Sequence, residues 1–150
     1  MKVYLSTIKE LIFLSALFGA ALGIATLIPY IGLITFLICT FAAGSTVIFY
    51  MQKLKLLNEL DIKEWSINGA ISGFVSFIGF SITFIPLAAL IGALVKTSYY
   101  YGITIMFKNG FFLLLFLILF VAITSALTNG FGSMVTASAL KFYKTQIENK

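Results

Sequence analysis

Polar and apolar residues are segregated along this chain into long blocks. No charged residue falls between Glu10 and Lys53, between Glu64 and Lys96, or between Lys108 and Lys141. An uncharged apolar stretch of about 18 residues is long enough to cross a bilayer as a helix, and each block exceeds that. The period-2 alternation of a membrane β-barrel is absent. The pattern predicts an all-α polytopic membrane protein in one transmembrane domain. Four transmembrane helices, paired as two hairpins, are placed at residues 11–28, 33–51, 66–85 and 111–128.

The first and third runs open alike, with Thr7-Ile8-Lys9-Glu10 and Asp61-Ile62-Lys63-Glu64. In each, the first residue can cap a helix while the glutamate three positions on reaches back to the free backbone amide, a capping box. Between the first two spans, Pro29 and Gly32 bracket a turn so short that the spans must form an antiparallel hairpin. Residues 52–65 are polar, with leucines among the charges, and read as a cytoplasmic surface loop. Trp65 closes it where an interfacial aromatic would stand. As one helix, the uncharged stretch from Ser66 to Val95 would be about 45 Å long, against a hydrocarbon core of ~30 Å. Pro86 supplies a break, so the third span is ended near Ile85. Residues 86–109, with Lys96, Tyr99, Tyr100, Tyr101 and Lys108, form an outer segment. Residues 141–150 form a cytoplasmic tail, helical as far as Tyr143. The first run continues past the small residues Gly23-Ile24-Ala25, beyond a signal-peptide core of ~7–15 residues, so it is read as an uncleaved span.

An offset of 54, from Lys9 to Lys63, aligns the chain with itself. Ile8-Lys9-Glu10 meets Ile62-Lys63-Glu64, Ala16 meets Ala70, Gly19 meets Gly73, and Ile24, Ile28, Ile31 and Leu33 meet Ile78, Ile82, Ile85 and Leu87. The reading is a direct repeat of two hairpins inserted in the same orientation; its alternative is that helix starts at one membrane face simply look alike.

Of the ten lysines, four spans place Lys2, Lys9, Lys53, Lys55, Lys63, Lys141, Lys144 and Lys150 on one side and Lys96 and Lys108 on the other. Eight against two puts both termini in the cytoplasm. A five-span alternative carries residues 86–107 across too; it buries Lys96 at roughly 2.5–3.5 kcal/mol and sends the tail outside.

Composition adds exclusions. Hydrophobic residues are 61% of the 150 and charged residues 10%, against about 25% charged in soluble domains. The net charge of +5 comes from lysines that flank apolar runs, which points to lipid headgroups and away from nucleic acid. Lys9, Lys63, Trp65, Lys141 and Lys144 are the expected headgroup anchors. With no histidine and one cysteine, Cys39, neither a zinc site nor an intrachain disulfide can form. No carboxylate lies within a predicted span, and no catalytic or phosphate-cradling arrangement is present. No catalytic, cofactor or metal residues are therefore assigned, and an enzyme is not expected.

What remains is packing. Helices in lipid associate through small residues. Ser15, Gly19 and Gly23 recur every four positions on the first span, and Gly69 and Gly73 do so on the third, making these two the expected central crossing pair. Hydroxyls at Thr35, Thr40, Ser45, Thr46, Ser72, Ser76, Ser81, Thr83, Thr124, Ser125 and Thr128 could line a polar path or bond back to helix carbonyls. In size and span number the chain is similar to small four-span bacterial membrane proteins. The expected function is a non-catalytic accessory or self-associating scaffold in the cell membrane, specifically a bacterial inner membrane. Its expected partners are membrane lipids and a second copy or another membrane protein. The alternative is a small permease or holin-like pore for a neutral solute or ion.

Overall fold

A computed structural model describes every residue except Met1, Pro29, Asn58, Glu59, Thr97, Ser98, Asn149 and Lys150, with the side chains of residues 2–6 and 144–148 also outside the described set. Several expectations fall there: Pro29 of the first turn, Glu59 of the surface loop, the side chain of the anchor Lys144, and those of Lys2 and Lys150, which count toward orientation.

All regular structure among the described residues is helical. We label the helices α1 (Lys2–Ala25), α2 (Gly32–Lys53, with a π-helical segment at Ile38–Ala42), α3 (Ile62–Leu94), α4 (Tyr101–Asn109) and α5 (Phe111–Glu148). Four of them, all but α4, are long and apolar enough to cross a membrane.

Contacts fix the directions. Ser15 of α1 meets Ser72 of α3, and Ala20 meets Thr83, so the pair climbs together and is parallel. Phe36 of α2 packs on Phe77 and Phe80 of α3 while Gly44 lies against Gly69, so α2 runs the opposite way. Gly69 and Gly73 of α3 face Ser133 and Asn129 of α5 in reversed order, which makes α5 parallel to α2. The order is up, down, up, down, with α3 in the middle.

Three boundaries differ from expectation. Thr7 does not start α1; the helix is already formed at Lys2, where one more turn costs little once the apolar run has nucleated it. Pro86 does not end α3, which runs 33 residues to Leu94. Packing carries the helix past the proline, whose missing amide leaves the Ile82 carbonyl without its usual donor. Just below, Ser81 and Thr83 donate to the Phe77, Gly79 and Phe80 carbonyls. Above the proline, Ala88, Ala89 and Gly92 are buried against α4, which returns antiparallel and donates from Thr104 Oγ1 to the Ala89 carbonyl at 2.8 Å. The last helix outruns its expected end at Tyr143: α5 is 38 residues in all and reaches Glu148.

Residues 86–109 thus finish α3, turn, and come back as α4. At nine residues α4 is about 14 Å long, well short of a ~30 Å hydrocarbon core. Gly110 then joins it to α5, its amide donating to Met106 O at 2.8 Å and its carbonyl accepting from Leu114 N at 2.9 Å.

The expected box at the start of α3 is formed: Ile62 N donates to Asp61 Oδ1 at 2.7 Å, Asp61 N donates to Glu64 Oε2 at 3.0 Å, and the Asp61 carboxylate accepts from the third helical amide. Apolar clusters close the two ends of the bundle. One holds Leu11, Val47, Ile48, Met51, Trp65 and Ala137. The other holds Cys39, Phe77, Phe80 and Ala122, extended by ring contacts from Phe36 through Phe84 to Tyr100. A polar seam lies between them.

Candidate functional site

The seam has two faces, one on each side of α3. On the first, the four-residue spacing of Ser15, Gly19 and Gly23 puts all three on one side of α1, and all three are buried. Ser15 Oγ lies 2.7 Å from Ser72 Oγ, Ser76 Oγ donates to the Ser15 carbonyl at 3.0 Å, and Thr83 Oγ1 donates to the Ala20 carbonyl at 3.1 Å. The backbones touch here. A Cβ on Gly19 would collide with the Ser76 carbonyl, one on Gly23 with Thr83, and one on Gly79 with the Ala16 carbonyl. Such close approach strengthens dispersion between helices that have no hydrophobic drive to associate in lipid.

The second face joins α2, α3 and α5, and Asn129 is its centre. Ser125, Asn129, Ser133 and Ala137 recur every four residues on α5 and are all buried. Opposite them, the π-helical segment of α2 disrupts the regular α-helical hydrogen bonding. In an α-helix the Gly44 amide donates to the Thr40 carbonyl. Here the Gly44 amide donates to Asn129 Oδ1 at 2.7 Å, and the Thr40 carbonyl accepts from Asn129 Nδ2 at 2.9 Å. The same Nδ2 lies 3.2 Å from the Cys39 carbonyl and 2.9 Å from the Ser125 carbonyl. Thr128 Oγ1 also donates to the Thr40 carbonyl. Ser125 Oγ reaches both Cys39 O, at 3.3 Å, and Gly73 O, at 3.1 Å. One carboxamide therefore bridges the backbone groups that the π segment exposes.

Gly69 and Gly73 belong to this second face. They do not meet α1: a Cβ on Gly69 would strike Ser133, and one on Gly73 would lie 2.5 Å from Asn129 Cβ. The first and third helices do touch, through Ser15, Gly19 and Gly23 against Ser72, Ser76 and Gly79, while the glycines expected on the α3 side turn to α5 instead. Positions 69 and 73 centre about a fifth of a turn from 72, 76 and 79, so the two sets are adjoining strips of one wide inward face that serves two neighbours.

Of the expected anchors, Lys9, Lys63 and Lys141 are exposed. Trp65 is not: it is 3% exposed and packs in the lower apolar cluster. It shares the inward face of α3 with Gly69, Ser72 and Ser76, at helical spacings of four, seven and eleven.

Every hydroxyl of the eleven that could have lined a path bonds within the protein. Thr35 meets Thr26 Oγ1 at 2.6 Å, Ser45 meets Ser133 Oγ at 3.3 Å, and Thr40, Thr46 and Thr124 donate to carbonyls one turn back on their own helices. The rest are accounted for above. At the far end, Tyr100 Oη approaches the Thr26 and Leu27 carbonyls at 3.5 and 3.4 Å. Among the described residues, two clefts open beside the seam. One of about 310 Å³ lies between α1 and α2 against Leu14, Leu17, Phe18 and Val47. The other, of about 710 Å³, opens at the end that bears Trp65. No group of three His, Cys, Asp or Glu side chains converges among the described residues.

Sequence pattern does not single out Asn129, which stands just past the expected end of the last span. The signal is nonetheless present in the four-residue rhythm of Ser125, Asn129, Ser133 and Ala137. No protein-family model matches the chain, and no curated protein or solved structure matches it.

Proposed function

We propose that this protein is a non-catalytic component of the cell membrane that acts through helix packing, as an accessory subunit or a self-associating scaffold. One observation carries the reading: the interior polar groups bond to one another and to backbone carbonyls, leaving the seam bonded across the helices. A conduit needs polar groups facing a path, and a coupled carrier needs an ionisable group within the membrane. Meanwhile α5 turns a broad apolar face outward, with Phe112, Phe116, Phe120, Leu127 and Phe131 each more than half exposed. Lipid or a helix of another subunit fits that face.

We place both termini in the cytoplasm of a bacterial cell, with the inner membrane around the bundle. The exposed Lys9, Lys53, Lys55, Lys63 and Lys141 share the end opposite Lys96 and Lys108, which supports that orientation. We read the direct repeat as confined to the Ile-Lys-Glu sequences that enter the two apolar runs, which lie inside α1 but form the capped start of α3. The offset pairs Gly19 with Gly73, yet Gly19 packs on α3 and Gly73 on α5.

The test combines the native mass of the protein, extracted in lipid nanodiscs, with solute flux in proteoliposomes. A defined oligomer or a stoichiometric partner, with flux equal to empty vesicles, is expected. Specific, saturable flux would replace this reading with the permease, and leakage with toxicity on expression would replace it with the pore.

A further inference from the structure

Two exposed tyrosines stand at the heights where a bilayer would meet water. Tyr30 lies just before α2, and Tyr50 lies near its lysine-bearing end. Twenty positions separate them, and at 1.5 Å per residue that is about 30 Å, the thickness of a hydrocarbon core. Between them the exposed side chains of α2 are apolar, from Leu33, Ile34 and Leu37 to Phe41 and Phe49. Thr46 is the exception, and its hydroxyl donates back to the Ala42 carbonyl at 2.9 Å. Beyond Tyr50 come the exposed Lys53 and Lys55. Apolar wall, amphipathic ring, then cation is the order in which lipid gives way to water.

Tyr30 is also held in an uncommon conformation. Its φ of 70° lies in the left-handed region, which glycine enters freely and a side chain enters at a cost. The ring is 100% exposed, so its own packing in the bundle does not offset that cost. Tyr99 is equally exposed and close by, because the hydroxyl of the next residue, Tyr100, reaches the Thr26 and Leu27 carbonyls just after α1. Trp65, where the sequence pattern places a headgroup anchor, is buried.

We propose that Tyr30 and Tyr50 are the interfacial anchors of the bundle, their rings in the glycerol and headgroup layers of opposite leaflets with one hydrocarbon thickness of α2 between them. The partner is the bilayer interface itself: a ring with an apolar body and a polar hydroxyl suits that layer better than water or hydrocarbon. Insertion in a membrane is presupposed, and the scaffold reading is not. Flotation of the full chain with phosphatidylcholine vesicles establishes insertion first; a chain left in solution overturns the membrane reading and the anchors together.

Depth is then read from single tryptophans. In a Trp65→Phe background, Tyr30→Trp, Tyr50→Trp and the mid-span Phe41→Trp are exposed to phospholipids brominated near the glycerol or near the chain end. Positions 30 and 50 should be quenched about twofold more by the glycerol-proximal bromines, and position 41 by the chain-end bromines, because aromatic belts sit at headgroup level. Should Trp65→Phe lose helicity by circular dichroism, nitroxides on Tyr30→Cys, Phe41→Cys and Tyr50→Cys in a Cys39→Ser background give the same depths, from relaxation by oxygen and by a water-soluble nickel chelate. Anchoring is read in the otherwise native chain. Its floating fraction across vesicles of graded acyl length should peak at a core of about 30 Å. Tyr30→Leu/Tyr50→Leu should flatten that peak with helicity unchanged, and Tyr30→Trp/Tyr50→Trp should keep it. Strongest quenching of position 30 or 50 by chain-end bromines, quenching of either by aqueous iodide alone, or a peak that the double leucine variant leaves in place would each overturn the proposal.

Discussion

Asn129 is the residue on which the interior turns. Its carboxamide serves one amide and two carbonyls of α2 at once. Asn129→Leu keeps the branched skeleton and removes all of these bonds. A single interhelical hydrogen bond in a membrane contributes about 0.6 kcal/mol on average, but a buried backbone group left without a partner costs about 1–3 kcal/mol. We expect a loss of about 2 kcal/mol in reversible unfolding in mixed micelles. Thr124→Ala is the contrast. That hydroxyl bonds only to Phe120 O on its own exposed turn, and the change should stay within about 0.5 kcal/mol. Local chemistry makes the Asp61–Glu64 box readable in sequence, because cap and partner lie three residues apart. Asn129 is not readable in that way, since its partners are nearly ninety positions distant and its role depends on a π segment in another helix.

Helix positions are legible from the charge-free blocks, whereas helix ends are decided by neighbours. Pro86 reads as a stop because the sequence does not show α4 folding back over Ala88, Ala89 and Gly92. The small-residue stripe on α1 is legible for the same reason as the blocks: spacing alone assigns a face. Its two-sided counterpart on α3 is not, because spacing cannot say which neighbour each face meets. Gly19→Leu should separate α1 from α3, since no side chain fits against the Ser76 carbonyl; its unfolding midpoint should fall far below that of Gly102→Ala, where a Cβ meets nothing within 4 Å. The end of α2 offers a gain instead. Leu56 N donates to Met51 O and Lys55 N to Gln52 O, a Schellman motif with Lys55 at φ 58°. A Cβ in that left-handed region costs roughly 1 kcal/mol, so Lys55→Gly should raise stability by up to about 1 kcal/mol and Lys55→Val should lower it.

The assembled bundle places its lysine-rich end and its tyrosine-rich end on opposite sides of four apolar helices. Lys63 is exposed at one end, and Tyr99 is fully exposed at the other. In a Cys39→Ser background, Lys63→Cys should resist a membrane-impermeant maleimide added to intact cells, and Tyr99→Cys should react with it. The reverse pattern would turn the protein over. Lysine distribution alone makes this polarity visible, because headgroup attraction and insertion bias act on charge wherever the helices pack. The seam, by contrast, exists only when all four long helices are in place.

That seam is most directly tested by oxidising Ser15→Cys/Ser72→Cys in native membranes, again with Cys39→Ser. The two hydroxyls lie 2.7 Å apart across parallel helices. A rapid disulfide within one chain, detected as a loop that survives cleavage between the helices, is the expected result. Dimers linked through these cysteines, or thiols that stay free under oxidation, would contradict the parallel contact of α1 and α3 and the closed interior built on it.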